Sequence, residues 1–531
     1  MRLIKAFEAM IDLRVFISSM ANVLAPAPGM TERKRHAPIR KRTFGESIER
    51  VVLLIHRWIG IFVCVMFVTW FISGVVLAYV RWPAMDRAER LGVLAPIEWD
   101  SVGGGPAAAM QALGLSEFPK DLRLEMSGGK PVYRVAAWDT GERVVSGGAV
   151  AAAGAPVSAE AGLDIVREQL KAPRATVEEA YLERDQWTVA GYFNKHRPFH
   201  LVSLNDAAGS KYYVSVATGE IVLDTRNKER FWNWMGAIPH WFYFSIIRKH
   251  AAAWTWLIYF LSSAGMLVAV SGIWIGIKRL RLRKRYTNGK RIPFSGWMRW
   301  HHILGLVGGL FLSLWIISGF LTMYPGGFLE GRGLEKTDIG RFRGATAPSF
   351  PSVDFKALGA AAKDVRRITF NYMAGAPILV LEYKGASTRV LDARSLQPIT
   401  FASPLYRQAT VALEPNATLK SLVWIQDGDE WWHPAFAHKK LPIVRAVFDD
   451  GVWFHIDPEA GAVIDVMDKT ARVDRWTAAG IHDLDWYWLL RRRPLWDLVL
   501  FITIIPGLAI SITSLVIGVR RIRKTVESRK A

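Results

Sequence analysis

The chain has 531 residues, 51 % of them hydrophobic, a formal net charge of +21 and one cysteine, Cys64. That length allows several domains, and a lone cysteine excludes an internal disulfide framework or a cluster held by several thiolates. The positive charge is compatible with nucleic acid, but it gathers beside apolar runs, where contact with anionic lipid headgroups accounts for it.

The first 45 residues read as a basic tail, with Arg33-Lys-Arg35 and Arg40-Lys-Arg42. Asp12 and Arg14 interrupt what would be a signal-peptide core, so no cleavable signal is expected. Met30, just ahead of the basic run, is an alternative start to Met1. Four apolar runs follow, at about 51–80, 254–277, 302–324 and 495–519. Each can cross a hydrocarbon core of about 30 Å at about 1.5 Å per helical residue. The expected order is helix 1 over 46–80, an outer domain over 81–230, and an interfacial helix with helix 2 over 231–277. A basic loop at 278–296 and helix 3 over 297–324 come next. A second outer domain at 325–472, an interfacial helix with helix 4 over 473–519 and a basic tail at 520–531 complete the chain. The basic clusters then lie on one side, so the positive-inside rule puts both termini and the 278–296 loop in the cytoplasm. Arg491-Arg-Arg493 is discordant, but long translocated domains weaken that rule. Cys64, inside helix 1, reads as a small packing residue.

Each outer domain reads as α+β. Val132–Val135 leads through Asp139-Thr-Gly141 to Arg143–Val145, and Lys211–Val216 leads through Thr218-Gly219-Glu220 to Ile221–Leu223. In the second domain Val452–Ile456 leads through Pro458–Gly461 to Val463–Val466. A glycine in each turn supplies the positive φ such hairpins need. Ala159–Leu170 reads as a helix.

The two halves are copies. His56, Gly60, Trp70, Ser73-Gly74 and Tyr79 recur 245 residues later as His301, Gly305, Trp315, Ser318-Gly319 and Tyr324. His240, Trp254, Gly265 and Gly276 recur 242 residues later as His482, Trp496, Gly507 and Gly518. One histidine therefore stands near an end of each span, and ionisable groups in spans are costly and usually functional. An internal twofold predicts two pairs, His56 with His301 inside and His240 with His482 outside. His302 competes with His301, but the register matches it to Arg57. Trp70 and Trp315 read as packing residues.

Tyr212–Leu223 resembles a PepSY module. With His56-Arg-Trp-Ile-Gly60 and the histidines ahead of the second and fourth spans, the chain resembles the PepSY-associated transmembrane proteins over about residues 45–525. That family includes inner-membrane ferric-siderophore reductases carrying b-type haem. The resemblance implies two haem b groups per chain, with His56, His301, His240 and His482 as axial ligands to the haem iron. Gly60 and Gly305, at i+4 from the first pair, would leave room for a macrocycle edge. Two departures stand out. Glu459-Ala-Gly-Ala462 replaces the Thr-Gly-Glu turn in the second half, and the fused flavin reductase domain of some relatives is missing.

The expected activity is electron transfer across a bacterial inner membrane to an outer substrate, a ferric siderophore. No nucleotide- or flavin-binding motif is visible, so the electron donor would be a cytoplasmic reductase or membrane quinol. His196, Arg197, His200, His433, His438 and Lys439, near Pro198 and Pro442, are candidates to line an outer pocket for the chelate's oxygens. Asp185-Gln-Trp187 and Asp429-Glu-Trp431 occupy similar places in the two halves. No catalytic triad, phosphate loop or zinc H-E-x-x-H motif appears, and no nucleic-acid partner is expected. The alternative is a non-enzymatic, membrane-anchored PepSY protein that binds or inhibits an envelope partner.

Overall fold

A computed structural model describes residues 43–148, 153–434 and 439–530. The basic clusters before residue 43, both candidate starts and His438 lie outside the described residues. The chain divides into two compact units.

The first unit is helical and holds residues 43–72, 256–320 and 497–530. Four long helices supply its spans: α1 (Phe44–Tyr79), α2 (Ala251–Arg279), α3 (Gly296–Leu321) and α4 (Leu495–Lys530). All four have the length and apolar composition to cross a bilayer, so the chain is a multi-pass membrane protein. Thr43 caps α1, its Oγ1 accepting from the Glu46 N–H while Glu46 accepts from the Thr43 N–H. The last helix overruns the expected end at 519, and the basic tail continues it to Lys530.

Small residues set the helix contacts, as expected where lipid removes the hydrophobic drive for helix association. A Cβ at Gly265 would meet Phe67 and Ile316 at 3.1 Å, and one at Gly507 would meet the Phe71 ring at 2.3 Å. Phe71 and Ile316 stand 245 residues apart, so the close approach is itself repeated.

The second unit, residues 73–255 and 321–496, carries every strand. From the first half come β1 (Asp121–Ser127), β2 (Lys130–Ala136), β3 (Glu142–Ser146), β4 (Thr176–Leu182), β5 (Phe199–Ser203), β6 (Lys211–Ser215) and β7 (Ile221–Thr225). From the second come β8 (Val365–Met373), β9 (Ala376–Tyr383), β10 (Thr388–Asp392), β11 (Leu419–Ile425), β12 (Ile443–Phe448), β13 (Trp453–Asp457) and β14 (Ala462–Met467). The expected hairpins are β2–β3, β6–β7 and β13–β14, with Gly141, Gly219 and Gly461 at positive φ, and the expected helix is Ala159–Leu170. Each half owns one four-stranded antiparallel sheet, β4–β5–β6–β7 or β11–β12–β13–β14.

The remaining strands build one sheet from both halves, in the order β10–β9–β8–β1–β2–β3. The halves meet where Leu124 pairs with Ile368. Both side chains are fully buried in a core with Leu122, Tyr133, Phe370 and Leu381. Burying such a side chain contributes about 1.5–3 kcal/mol. The two α+β modules are thus joined by backbone hydrogen bonds, which the separate ranges 81–230 and 325–472 do not express.

A buried ion network lies beneath this joint. Glu125 of β1 bonds Arg134 of β2 and, at 2.8 Å, Arg367 of β8. Glu382 of β9 pairs with Arg87 at 2.7 Å. Arg123 reaches Glu142 at 2.7 Å and Glu220 at 3.1 Å. Buried charges persist only when paired this way.

Candidate functional site

In the helical unit, His56 of α1 and His301 of α3 lie with ring centroids 6.3 Å apart and planes inclined by 45°. In the β-rich unit, His240 and His482 lie 6.1 Å apart at 44°. These are the two pairs the repeat predicts, with nearly equal geometry. The competitor His302 is placed elsewhere: its Nε2 bonds the Gly276 carbonyl at 3.1 Å and its ring packs on Phe294.

The supports of the first pair are duplicated too. His56 Nδ1 lies 3.0 Å from the Val268 carbonyl and 3.2 Å from Ser271 Oγ on α2. His301 Nδ1 meets Thr513 Oγ1 on α4 at 3.1 Å, and Thr513 in turn donates to the Ile510 carbonyl at 2.8 Å. Val268 and Ser271 become Ile510 and Thr513 on adding 242. His56 Nδ1 must carry its proton to meet a carbonyl, and Thr513, whose hydroxyl proton goes to Ile510, accepts from His301 Nδ1–H; each ring keeps its Nε2 lone pair for a metal.

Glycines stand close to the histidine rings and to the helices that support them. A Cβ at Gly60 would sit 3.7 Å from Val268, and one at Gly305 3.3 Å from Ile510. Those two glycines thus face the residues that stand beside the supports of His56 and His301. A Cβ at Gly272 would instead lie 2.7 Å from His56 Cε1, and one at Gly74 3.2 Å from His240 Cε1. At the repeat equivalent of Gly272 stands Ser514, whose Oγ lies 3.4 Å from His301 Nδ1.

The outer pair sits on two short helices, Ala237–Trp241 and Gly480–Asp483. Each ends in a bulky left-handed residue, Phe242 (φ 52°) and Leu484 (φ 50°), again 242 residues apart. A bulky residue rarely adopts positive φ, so its repetition marks a fixed turn just after each histidine. Trp254 and Trp496 secure these turns, donating their indole N–H to the carbonyls of Trp241 (2.8 Å) and Leu484 (2.9 Å). Ser73 Oγ lies 3.2 Å from His240 Nδ1. Beside His482, burial pushes the Asp483 carboxyl up to about 7; Asp485 adds to this and Arg475 opposes it. The discordant arginines cover aromatic faces: Arg491 lies over Tyr487, Arg492 over Trp488, and Arg493 over Trp496 at 4.0 Å.

The described candidates for the chelate pocket are engaged in different ways. His200 is fully buried in β5, its Nε2 on the Val157 carbonyl at 2.8 Å and its ring edge-on to Tyr181. Arg197 spends its guanidinium on Asn194 and the Thr188 carbonyl. His433 stacks on Tyr487 and bonds Arg475. Lys439 keeps its ammonium 4.6 Å over Trp432, and burial lowers its pKa. His196 is buried, and burial depresses its pKa to about 4 against the pull of Glu220.

Each histidine pair has the donor chemistry to hold one metal atom from two opposite sides. With a metal–nitrogen bond of about 2.0 Å and about 1.1 Å from nitrogen to ring centre, such a pair has centroids about 6.2 Å apart. Among known families, the model of the PepSY-associated TM region matches residues 53–352. No curated protein matches the chain.

Proposed function

This chain belongs to the family of the PepSY-associated TM region, and on that premise we propose that it is a transmembrane haem b electron-transfer protein. Its substrate lies on the outer face of a bacterial inner membrane and is a ferric siderophore, reduced in iron acquisition. The observation that carries this reading is the matched spacing of the two repeat-related histidine pairs, 6.3 and 6.1 Å.

The residues present fit the group. Four imidazoles stand in two facing pairs, and Gly272 and Gly74 clear the rings of His56 and His240. Haem bound there supplies reversible one-electron chemistry at iron. The chain's own part is to hold and tune: Val268 and Ser271 at His56, and Thr513 anchored on the Ile510 carbonyl at His301, fix the Nδ1–H tautomer, and an engaged Nδ1–H makes the ligating nitrogen more basic. Reducing a ferric chelate to Fe(II) weakens its hard-oxygen coordination and frees the metal. Lys439, held over Trp432, is a cation suited to an anionic chelate. The electron donor is a separate cytoplasmic reductase or membrane quinol, with both termini on the cytoplasmic side.

The test is haem content. Full-length protein purified in detergent with haem supplied should give two haems per chain by pyridine haemochrome and a b-type reduced-minus-oxidised spectrum. A colourless protein would sink the reading and leave the non-enzymatic one, binding of an envelope partner.

A further inference from the structure

Three side chains in the β-rich unit have no part in the reading above. Glu142 opens β3, Glu220 follows the Gly219 turn between β6 and β7, and His196 ends the 3₁₀ turn Gly191–His196. One carboxylate oxygen from each glutamate and one ring nitrogen lie within 4.8 Å of one another, and all three residues are at least nine-tenths buried.

Their hydrogen bonding is incomplete. Arg123 takes Glu142 Oε1 at 2.7 Å and Glu220 Oε2 at 3.1 Å. Among the described residues Glu220 Oε1 has no hydrogen-bond partner, and the Arg90 guanidinium lies 4.0 Å from it. His196 Nδ1, in a residue 5 % exposed, also has none. Leaving a buried polar atom unsatisfied costs about 1–3 kcal/mol, and here two residues of one cluster each carry such an atom. Arg123 occupies one oxygen of each carboxylate and orients both, and Glu220 keeps its other oxygen for a ligand.

We propose that Glu142, His196 and Glu220 bind a divalent first-row transition-metal ion through one imidazole and two carboxylates, with water completing its coordination. Ligands at about 2.1 Å from such an ion stand about 3.4–4.2 Å apart, so the cluster closes on it with movements below an ångström. One imidazole with two carboxylates is a borderline-to-hard set that suits Mn(II), Fe(II) or Zn(II) and disfavours Cu(I). The site belongs to one half only, because the repeat places Ala462 where Glu220 stands. It does not depend on haem.

The test uses full-length protein in detergent titrated with Mn(II), free Mn(II) being read from its six-line room-temperature EPR signal. One Mn(II) per chain is expected, displaced by Zn(II). His196→Ala and Glu142→Gln should each weaken binding at least tenfold. A thermal melt checks folding, and His196→Gln replaces any variant that does not fold. Absence of binding by the wild type at millimolar Mn(II), or full stoichiometry and affinity in the folded variants, overturns the proposal.

Discussion

His240 and His482 stand 242 residues apart in the chain and 6.1 Å apart between ring centroids. The twofold that relates them also relates the turns that follow, Phe242 and Leu484, and the indoles that fasten those turns. Repeated support of this kind is what a ligand pair requires, because a ring that is free to rotate loses the alignment on which coordination depends.

Loss of ligands should follow the pairs. His56→Ala and His301→Ala are each expected to abolish one and the same b-type spectral component, and His240→Ala and His482→Ala the other. Low-temperature difference spectra of the four purified variants decide this. Loss in the combinations His56 with His240 and His301 with His482 would refute the pairing while leaving haem binding intact.

Adding a methyl group beside a ring should act according to the clearance it removes. Gly272→Ala puts a Cβ 2.7 Å from His56 Cε1, inside any contact real side chains tolerate, whereas Gly74→Ala meets His240 at 3.2 Å. Gly272→Ala should cut haem retention in the His56/His301 component by about tenfold or more, the scale of losses from disturbed ligand support. Gly74→Ala should have the smaller effect, on the other component. Haem titration followed at the two components measures both, and an equal fall of both components in Gly272→Ala would mean general unfolding instead.

The helical unit should tolerate a new side chain at Gly507 only if its neighbour shrinks. A Cβ there falls 2.3 Å from Phe71, and overpacking of this kind costs about 1–3 kcal/mol. Gly507→Ala should lower the melting temperature, and Gly507→Ala with Phe71→Leu should recover part of the loss. A double variant no more stable than the single one would show that the contact is not the cause.

Glu125 should set the acid stability of the joint sheet. Burial alone would raise its carboxyl, but Arg367, then Arg134 and Arg123, outweigh burial and hold it at about 2, against an ordinary value of 4.5. The folded value is the lower one, so this contribution is complete above about pH 4.5 and is lost as pH falls towards 2. Denaturation at pH 7, 4.5 and 3 should show the drop, and Glu125→Gln should flatten it. Glu125→Ala, which leaves Arg134 and Arg367 buried without their carboxylate, should cost about 3–5 kcal/mol at neutral pH.

Much of this site was legible because duplication preserved it. His56, His301, His240 and His482 stood out by offset, and the same arithmetic applied to Ser271 and Thr513 would have found their supports. Hydroxyl residues in a span, however, usually satisfy their own helix carbonyls, as Ser271 also does with Leu267, so composition gave them no prominence. The i+4 spacing of Gly60 and Gly305 fixes a helix face but does not say that the face meets Val268 and Ile510. Gly272 went unnoticed since its counterpart is Ser514. His200 was a candidate for an outer pocket, but both faces of β5 are covered, which sequence does not reveal. The cluster of Glu142, His196 and Glu220 draws on three separate elements whose association depends on sheet packing. Neither spacing nor composition encodes that.

The pairing of β1 with β8 imposes a condition on membrane insertion. Leu124 and Ile368 can bond only if the segment after α1 and the segment after α3 emerge on the same side of the bilayer. A chain with one half inverted strands its β1 edge in one compartment and its β8 edge in the other, each exposing unpaired backbone groups of the kind that promote aggregation. During synthesis the β1 edge must also wait while α2, the basic loop and α3 are inserted. The joint sheet can therefore be completed only in molecules whose two halves share one orientation.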